Sequence, residues 1–344
     1  MKEAADAASF LSLFSNESDI LYPLDRYNLG MIFLEFPEAS SRTGWKLIGR
    51  LPIHVKSFCK FLMDGSIVQP AINKAILMEK ISKRRLIVVS NRLPFQLQEK
   101  KKSVTMRESD GGLVSALKSF FESEQNKDTY SSSLWIGSAD FPQERWKKYN
   151  ENPTPNPSFE VEPIFIETKT YNRFYNGFCN ATIWPLFHYF PSIVEFDEET
   201  FQSYQEVNNI FATKILSILQ PTDILWIHDY QLMQLPGLIR AERPDATIGF
   251  FLHIPFPSFE IFRLLHRPWK DKIVGGMLGA DLIGFHTHEY VQHFLKTVQM
   301  VVGHDGQFRN IITKDRVIKA EMFPLGIDFD KFHNANSKPK VIEQ

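Results

Sequence analysis

LIVVSNR, residues 86–92, decides the fold: four apolar positions, three of them β-branched, run straight into three polar ones. A short apolar run with polar flanks reads as a strand buried on both faces, the kind that parallel sheets contain. The same grammar recurs three times. ILWI (224–227) is followed by His228 and Asp229, IGFFL (248–252) by His253, and LIGF (282–285) by His286, Thr287 and His288.

Working outward, Leu134–Ile136, Ile164–Ile166 and Val317–Phe323 read as further strands, and Thr247 extends the IGFFL run. Amphipathic segments between them predict helices over Leu113–Glu122, Glu198–Leu219, Leu232–Arg240 and Glu289–Val301. Strands alternating with helices predict an α/β fold, a Rossmann-like parallel sheet with helices on both faces. Asn150–Ser158, with Pro153, Pro155 and Pro157, reads as a loop. Ligands of such folds sit at the carboxyl ends of the strands. Four polar strand ends therefore point to one crevice.

Composition narrows the ligand. The chain has 344 residues, room for about two domains. Its 39 Lys and Arg against 40 Asp and Glu give a net charge of -1, so no global field draws it to nucleic acid or a membrane surface. An anion must be held by a local cluster. Cys59 and Cys179 are too few for a disulfide framework or a Cys-rich zinc module and suit a reducing compartment. The N-terminus carries acids where a signal peptide carries bases, and no apolar run spans a bilayer, so a cytoplasmic protein is expected.

Four groups of residues carry chemistry. Arg92, after its strand, offers a planar fork to a phosphate; the alternative is a structural ion pair. Asp110-Gly111-Gly112-Leu113 before a helix reads as a cradle for a diphosphate, or as a plain turn. YNGFCNATIWPLFHY (175–189) joins aromatic faces to amides, as a sugar pocket does, and as an aromatic core loop also does. His286, His288, Glu289 and His293 cluster, but no recognisable ligand spacing completes a zinc site, and no metal is expected. Asp328-Phe329-Asp330 has a DxD form but stands outside a strand end.

These stretches, with VNNIFA, DILWIHDYQLMQLP, IGFFLHIPFPSFEIFR, LGADLIGFHTHEY and FPLGID, resemble the trehalose-6-phosphate synthase family. They run in the family's order from Leu86 to Phe332. The resemblance implies the N-terminal half of a GT-B fold and a retaining transfer of glucose from UDP-glucose to glucose 6-phosphate, without metal or other cofactor. It gives Arg92 and Tyr175 to the acceptor phosphate, with Trp184 beside them. Gly112 falls to the approach of the UDP diphosphate, Asp229 to an acceptor hydroxyl, His253 to the donor sugar, and Trp135 to the same cleft. Gln231 and Cys179 depart from the family's usual His and Ser. The implied organisation is an extension over 1–80, an acceptor-side domain over 81–333, and a tail over 334–344 toward a donor domain that this sequence lacks. A homo-oligomer or a partner supplying that domain is the expected completion. The alternative is a non-catalytic module that binds glucose 6-phosphate or regulates a synthase.

Overall fold

The computed structural model describes residues 33–36, 44–47, 84–100, 103–108, 130–151, 159–304, 306–307 and 309–324. The chain forms two compact units, residues 16–82 and residues 83–344 with 1–15. In the first unit, Phe33–Phe36 (β1) pairs antiparallel with Gly44–Leu47 (β2).

The second unit is built on a nine-stranded sheet. Leu86–Arg92 (β3) is an inner strand, and a hairpin of Phe95–Lys100 (β4) and Ser103–Glu108 (β5) follows it. The other strands are Ser133–Ser138 (β6), Glu160–Ile164 (β7), Ile224–His228 (β8), Thr247–Phe251 (β9), Leu282–Phe285 (β10), Gly306–Gln307 (β11), Asn310–Ile312 (β12) and Val317–Met322 (β13). Their order is β11-β12-β13-β10-β9-β8-β3-β6-β7, parallel from β13 to β7, with β11 and β12 antiparallel at one edge.

Successive residues of a strand face opposite ways. Ile87, Val89, Leu134, Ile136, Leu225, Ile227, Ile248, Phe250, Ile283 and Phe285 enter one core. Leu86, Val88, Trp135, Ile224, Trp226, Phe251 and Leu282 enter the other. The first core is covered by Glu198–Leu216, Leu235–Glu242, Arg267–Met277 and His288–Val302. The hairpin β4–β5 and the helix Gln143–Glu151, through Tyr149, pack on the second.

Strong local signals set the helices near their predicted places. Asp197 caps Glu198–Leu216 by accepting from the Thr200 N–H at 2.9 Å. That helix stops at Leu216, short of the predicted Leu219, and runs on only as a turn in which the N–H groups of Ile218 and Leu219 both donate to the Ile215 carbonyl, at 3.0 and 2.9 Å. Thr287 caps His288–Val302, and Gly303, at φ 72°, ends it in the left-handed conformation.

Two departures have physical causes. The strand expected at Ile164–Ile166 lies at Glu160–Ile164, ending where the Ala139 N–H bonds the Ile164 carbonyl. Pro163 interrupts its pattern, and an edge strand tolerates that proline. YNGFCNATIWPLF lies within one helical run of Thr168–Asn172, a wide π-helical Arg173–Ile183 and Trp184–Phe187. Pro185 cannot bond the carbonyl of Ala181, and the Glu195 N–H takes that carbonyl instead, at 2.9 Å. The predicted helix Leu113–Glu122, the glycines before it, residues 152–158 of the proline loop, most of FPLGID and the tail 334–344 lie outside the described residues.

Candidate functional site

The parallel part of the sheet contains one reversal. From β3 the chain steps outward to β6 and β7, then returns to the other flank of β3 at β8. The carboxyl ends of β3 and β8 are therefore the topological switch point, where open α/β sheets leave a crevice. Arg92 and Asp229 stand at those two ends.

A bulge between Val89 and Arg92 turns the end of β3. Gly137 of β6 passes beneath it; a Cβ there would sit 2.7 Å from the Arg92 carbonyl carbon and the Leu93 nitrogen. Arg92 is exposed. Its Nε donates to Tyr171 Oη at 3.1 Å, and its guanidinium lies 4.6 Å from the centroid of the Tyr175 ring. Tyr171 and Tyr175 stack at 5.8 Å, and Asn91 Nδ2 also donates to Tyr171 Oη, at 3.2 Å. Among the described residues, the terminal nitrogens of Arg92 have no hydrogen-bond partner. The result is a planar fork whose terminal donors meet no partner among the described residues.

Asp229 is held under strain. Its φ is 76°, in the region that favours glycine, and its own N–H donates to the Phe251 carbonyl at 2.8 Å. Oδ1 accepts from the N–H groups of Tyr230, at 2.9 Å, and His253, at 3.3 Å. Burial pushes the carboxyl pKa up to about 6, against the pull of those two bonds. The turn after Asp229 is tied to the helix Glu198–Leu216. Tyr204 Oη donates to the Tyr230 carbonyl at 2.8 Å and accepts from the Met233 N–H at 3.1 Å. Asn208 Nδ2 donates to the carbonyls of Gln231, at 3.0 Å, and Tyr204, at 2.9 Å. Tyr230 Oη donates to Asn180 Oδ1 at 2.9 Å, tying the turn to the π-helical segment as well.

Three histidines continue the edge. His228 Nδ1 lies 3.0 Å from His253 Nε2, and the rings of His253 and His286 are 5.5 Å apart. Burial lowers all three pKa values, that of His228 to about 3, and His253 is lowered further by its two neighbours. The cluster is neutral at physiological pH.

The remaining predicted positions fall as follows. Trp184 is 40% exposed and stacks on His188 at 4.1 Å, farther along the helical run from Tyr175. Trp135 is buried, and its indole N–H donates to Ser90 Oγ at 2.8 Å. Gly112 lies outside the described residues. Cys179 is fully buried, with its thiol pKa raised by burial, and Gln231 is buried too. His293 Nδ1 lies 3.0 Å from the Phe256 carbonyl. Tyr171 and Tyr204 are not singled out by the sequence, and Asn180 and Asn208 only as members of longer stretches: each lies off the strand ends, and only the folded chain brings it to them.

Residues 84–344 match glycosyltransferase family 20. The chain belongs to that family. Its similar relatives include α,α-trehalose-phosphate synthase [UDP-forming] A of Dictyostelium discoideum, 41% identical over 265 residues, covering 75% of this chain and 34% of the relative. The corresponding enzyme 1 of Aspergillus niger is 38% identical over 262 residues, covering 75% of this chain and 49% of the relative. Among solved structures, the N-terminal domain of trehalose-6-phosphate phosphatase from Candida albicans aligns with a TM-score of 0.61 at 28% identity, covering 75% of this chain and 52% of that one. A UDP-forming α,α-trehalose-phosphate synthase from Burkholderia vietnamiensis aligns at 0.58 and 26%, covering 75% and 53%. This family 20 chain thus spans about a third to a half of the length of these relatives, and its sheet is the GT-B type they share.

Proposed function

We propose that this chain is the acceptor-binding half of an α,α-trehalose-phosphate synthase, which transfers glucose from UDP-glucose to glucose 6-phosphate. One observation carries the reading. At the switch point, a cation whose terminal donors meet no partner among the described residues, set against two tyrosines, stands on the strand next to a strained carboxylate.

A phosphate and a sugar hydroxyl are the two groups that such a pair orients. Arg92 and Tyr175 take the phosphate, Asp229 accepts from an acceptor hydroxyl, and His253 meets the donor sugar. Trp184 extends the pocket, and Trp135 supports the edge through Ser90. Gly112, by resemblance, lets the diphosphate approach. A retaining transfer of this kind depends on holding acceptor and donor together and on stabilising charge at the leaving diphosphate. This chain supplies the first. No metal or other cofactor is required, the protein acts in the cytoplasm, and a donor-binding half completes the site, whether from a partner or a further domain.

Calorimetry tests the reading. Arg92→Ala is expected to weaken glucose 6-phosphate about 10- to 100-fold, one charge-assisted bond's worth, and glucose hardly at all. Equal losses for both sugars would remove the phosphate role.

A second reading has its own support: the neighbour in Candida albicans is a domain of a protein named as a phosphatase. On that reading the chain binds glucose 6-phosphate without transferring to it. UDP release from UDP-glucose and glucose 6-phosphate, in the presence of a donor domain, separates the two.

A further inference from the structure

Neutral imidazoles carry one proton on one of two nitrogens, so a pair in hydrogen-bond contact must choose who donates. His228 and His253 are such a pair. His228 Nδ1 faces His253 Nε2 at 3.0 Å. His228 is fully buried, and its second nitrogen, Nε2, has no hydrogen-bond partner among the described residues. His253 is only partly buried, at the crevice.

Two arrangements satisfy the contact. If His253 donates, His228 must carry its proton on Nε2, an N–H sealed in the core without an acceptor. If His228 donates from Nδ1, its Nε2 is a bare lone pair. Buried N–H groups without partners are rarer in proteins than under-used acceptors. The second arrangement is therefore the favoured one.

We infer that His228 is a positioning residue: its Nδ1–H donates to His253 Nε2 and holds His253 as the Nδ1–H tautomer, so that the strand end presents a hydrogen-bond donor to the sugar. Burial keeps all three histidines of the edge uncharged, which makes the tautomer, and not a charge, the property that is set. The inference rests on the reading of His253 as the donor-sugar histidine only where it names the ligand side; the tautomer stands apart from it.

Ring-nitrogen NMR of the full chain labelled with ¹⁵N-histidine, without ligand at neutral pH, reads the tautomers directly. The expected spectrum shows His253 protonated on Nδ1 and bare on Nε2, with His228 protonated on Nδ1. The reverse assignment overturns the inference. His228→Leu removes the donor and should leave His253 as a mixture of both forms. His228→Asn, whose amide nitrogen reaches about where Nδ1 was, should restore the single form. An unchanged His253 in His228→Leu also overturns the inference. Should the leucine variant melt out, the wild-type assignment and the asparagine variant still decide. Addition of UDP-glucose to the wild type in the presence of a donor domain should move the His253 ring signals. Signals that stay put would overturn the ligand-side half together with the proposed site, whereas a wrong tautomer overturns the positioning half alone.

Discussion

The two ends of one sheet treat polar side chains in opposite ways. At the amino end, the charges are paired. Arg85 grips Asp223 with Nε at 3.0 Å and Nη2 at 2.6 Å, and the Gln220 N–H donates to the same carboxylate at 2.7 Å. Asp281 takes Arg240 at 2.7 Å, Arg316 at 3.3 Å and the Ile248 N–H at 2.8 Å. At the carboxyl end, among the described residues, the terminal nitrogens of Arg92 and the buried Nε2 of His228 have no hydrogen-bond partner, and Asp229 occupies a glycine-favouring φ. Pairing at one end stabilises the fold; at the other, groups left unpaired among the described residues are those assigned to a ligand under the proposed function. Strain and unspent hydrogen bonds persist only where the surrounding structure holds them.

Breaking the amino end should have the largest effect. The Asp223 side chain is 1% exposed, so Asp223→Ala would strand the Arg85 guanidinium in a half-closed site. Removing one member of a buried pair costs about 3–5 kcal/mol. Urea denaturation should show a midpoint lowered accordingly at unchanged slope. A loss below about 1 kcal/mol would mean that the pair is solvated like a surface bridge.

The carboxyl end should answer in the other direction. The carboxyl of Asp229 is raised to about 6 from 3.8, so the folded state holds its proton longer than the unfolded state does. Stability is therefore lost as pH rises from about 4 to 6, by up to about 3 kcal/mol. Asp229→Asn, uncharged and tolerant of positive φ, should stabilise the fold at pH 7.5, and the gain should vanish near pH 4. The histidines run the opposite way. His228, at about 3 when folded, resists protonation that the unfolded chain accepts near 6.5, so its contribution is lost as pH falls through that window. Melting curves of wild type and variant across pH 4–8 check both signs. A variant less stable than wild type at pH 7.5 would show that the two N–H bonds outweigh burial.

The supports of the carboxyl end should give an intermediate effect. Tyr204→Phe removes the hydroxyl that bridges the Tyr230 carbonyl and the Met233 N–H, both in a buried turn. About 1–2 kcal/mol of stability should go, with a larger proportional loss of ligand affinity as Asp229 loosens. A stability loss with affinity intact would separate the turn from the site.

The same contrast shows what was legible in the sequence. Buried strands such as LIVV and LIGF were plain because their apolar runs are short and end in polar residues, and those residues marked the crevice. The helical run through YNGFCNATIWPLF was not, because Gly177 and Pro185 imitate breakers and the bond that excuses Pro185 comes from Glu195. The hairpin β4–β5, with its polar strands, had no apolar run to announce it. Tyr204 and Asn208 sit on an ordinary amphipathic helix, where nothing local tells a support of the site from any core residue. Local pattern reveals what a strand end offers; it does not reveal what holds the end in place.

Arg92 should show the smallest effect on stability. It is exposed, its contacts are one hydrogen bond to Tyr171 and one approach to the face of Tyr175, and its other donors reach nothing among the described residues. A cation over an aromatic ring at an exposed site is worth about 0.5–1 kcal/mol. Arg92→Ala should therefore lower the melting temperature by only a few degrees at most, far less than Asp223→Ala. The two residues carry the same kind of group at opposite ends of the same sheet, so the ratio of their effects measures the asymmetry directly. If Arg92→Ala cost as much as Asp223→Ala, Arg92 would be a structural cation, and the fall in glucose 6-phosphate affinity would follow from a damaged fold. A small loss of stability beside a large loss of affinity is the signature of a charge kept for a ligand.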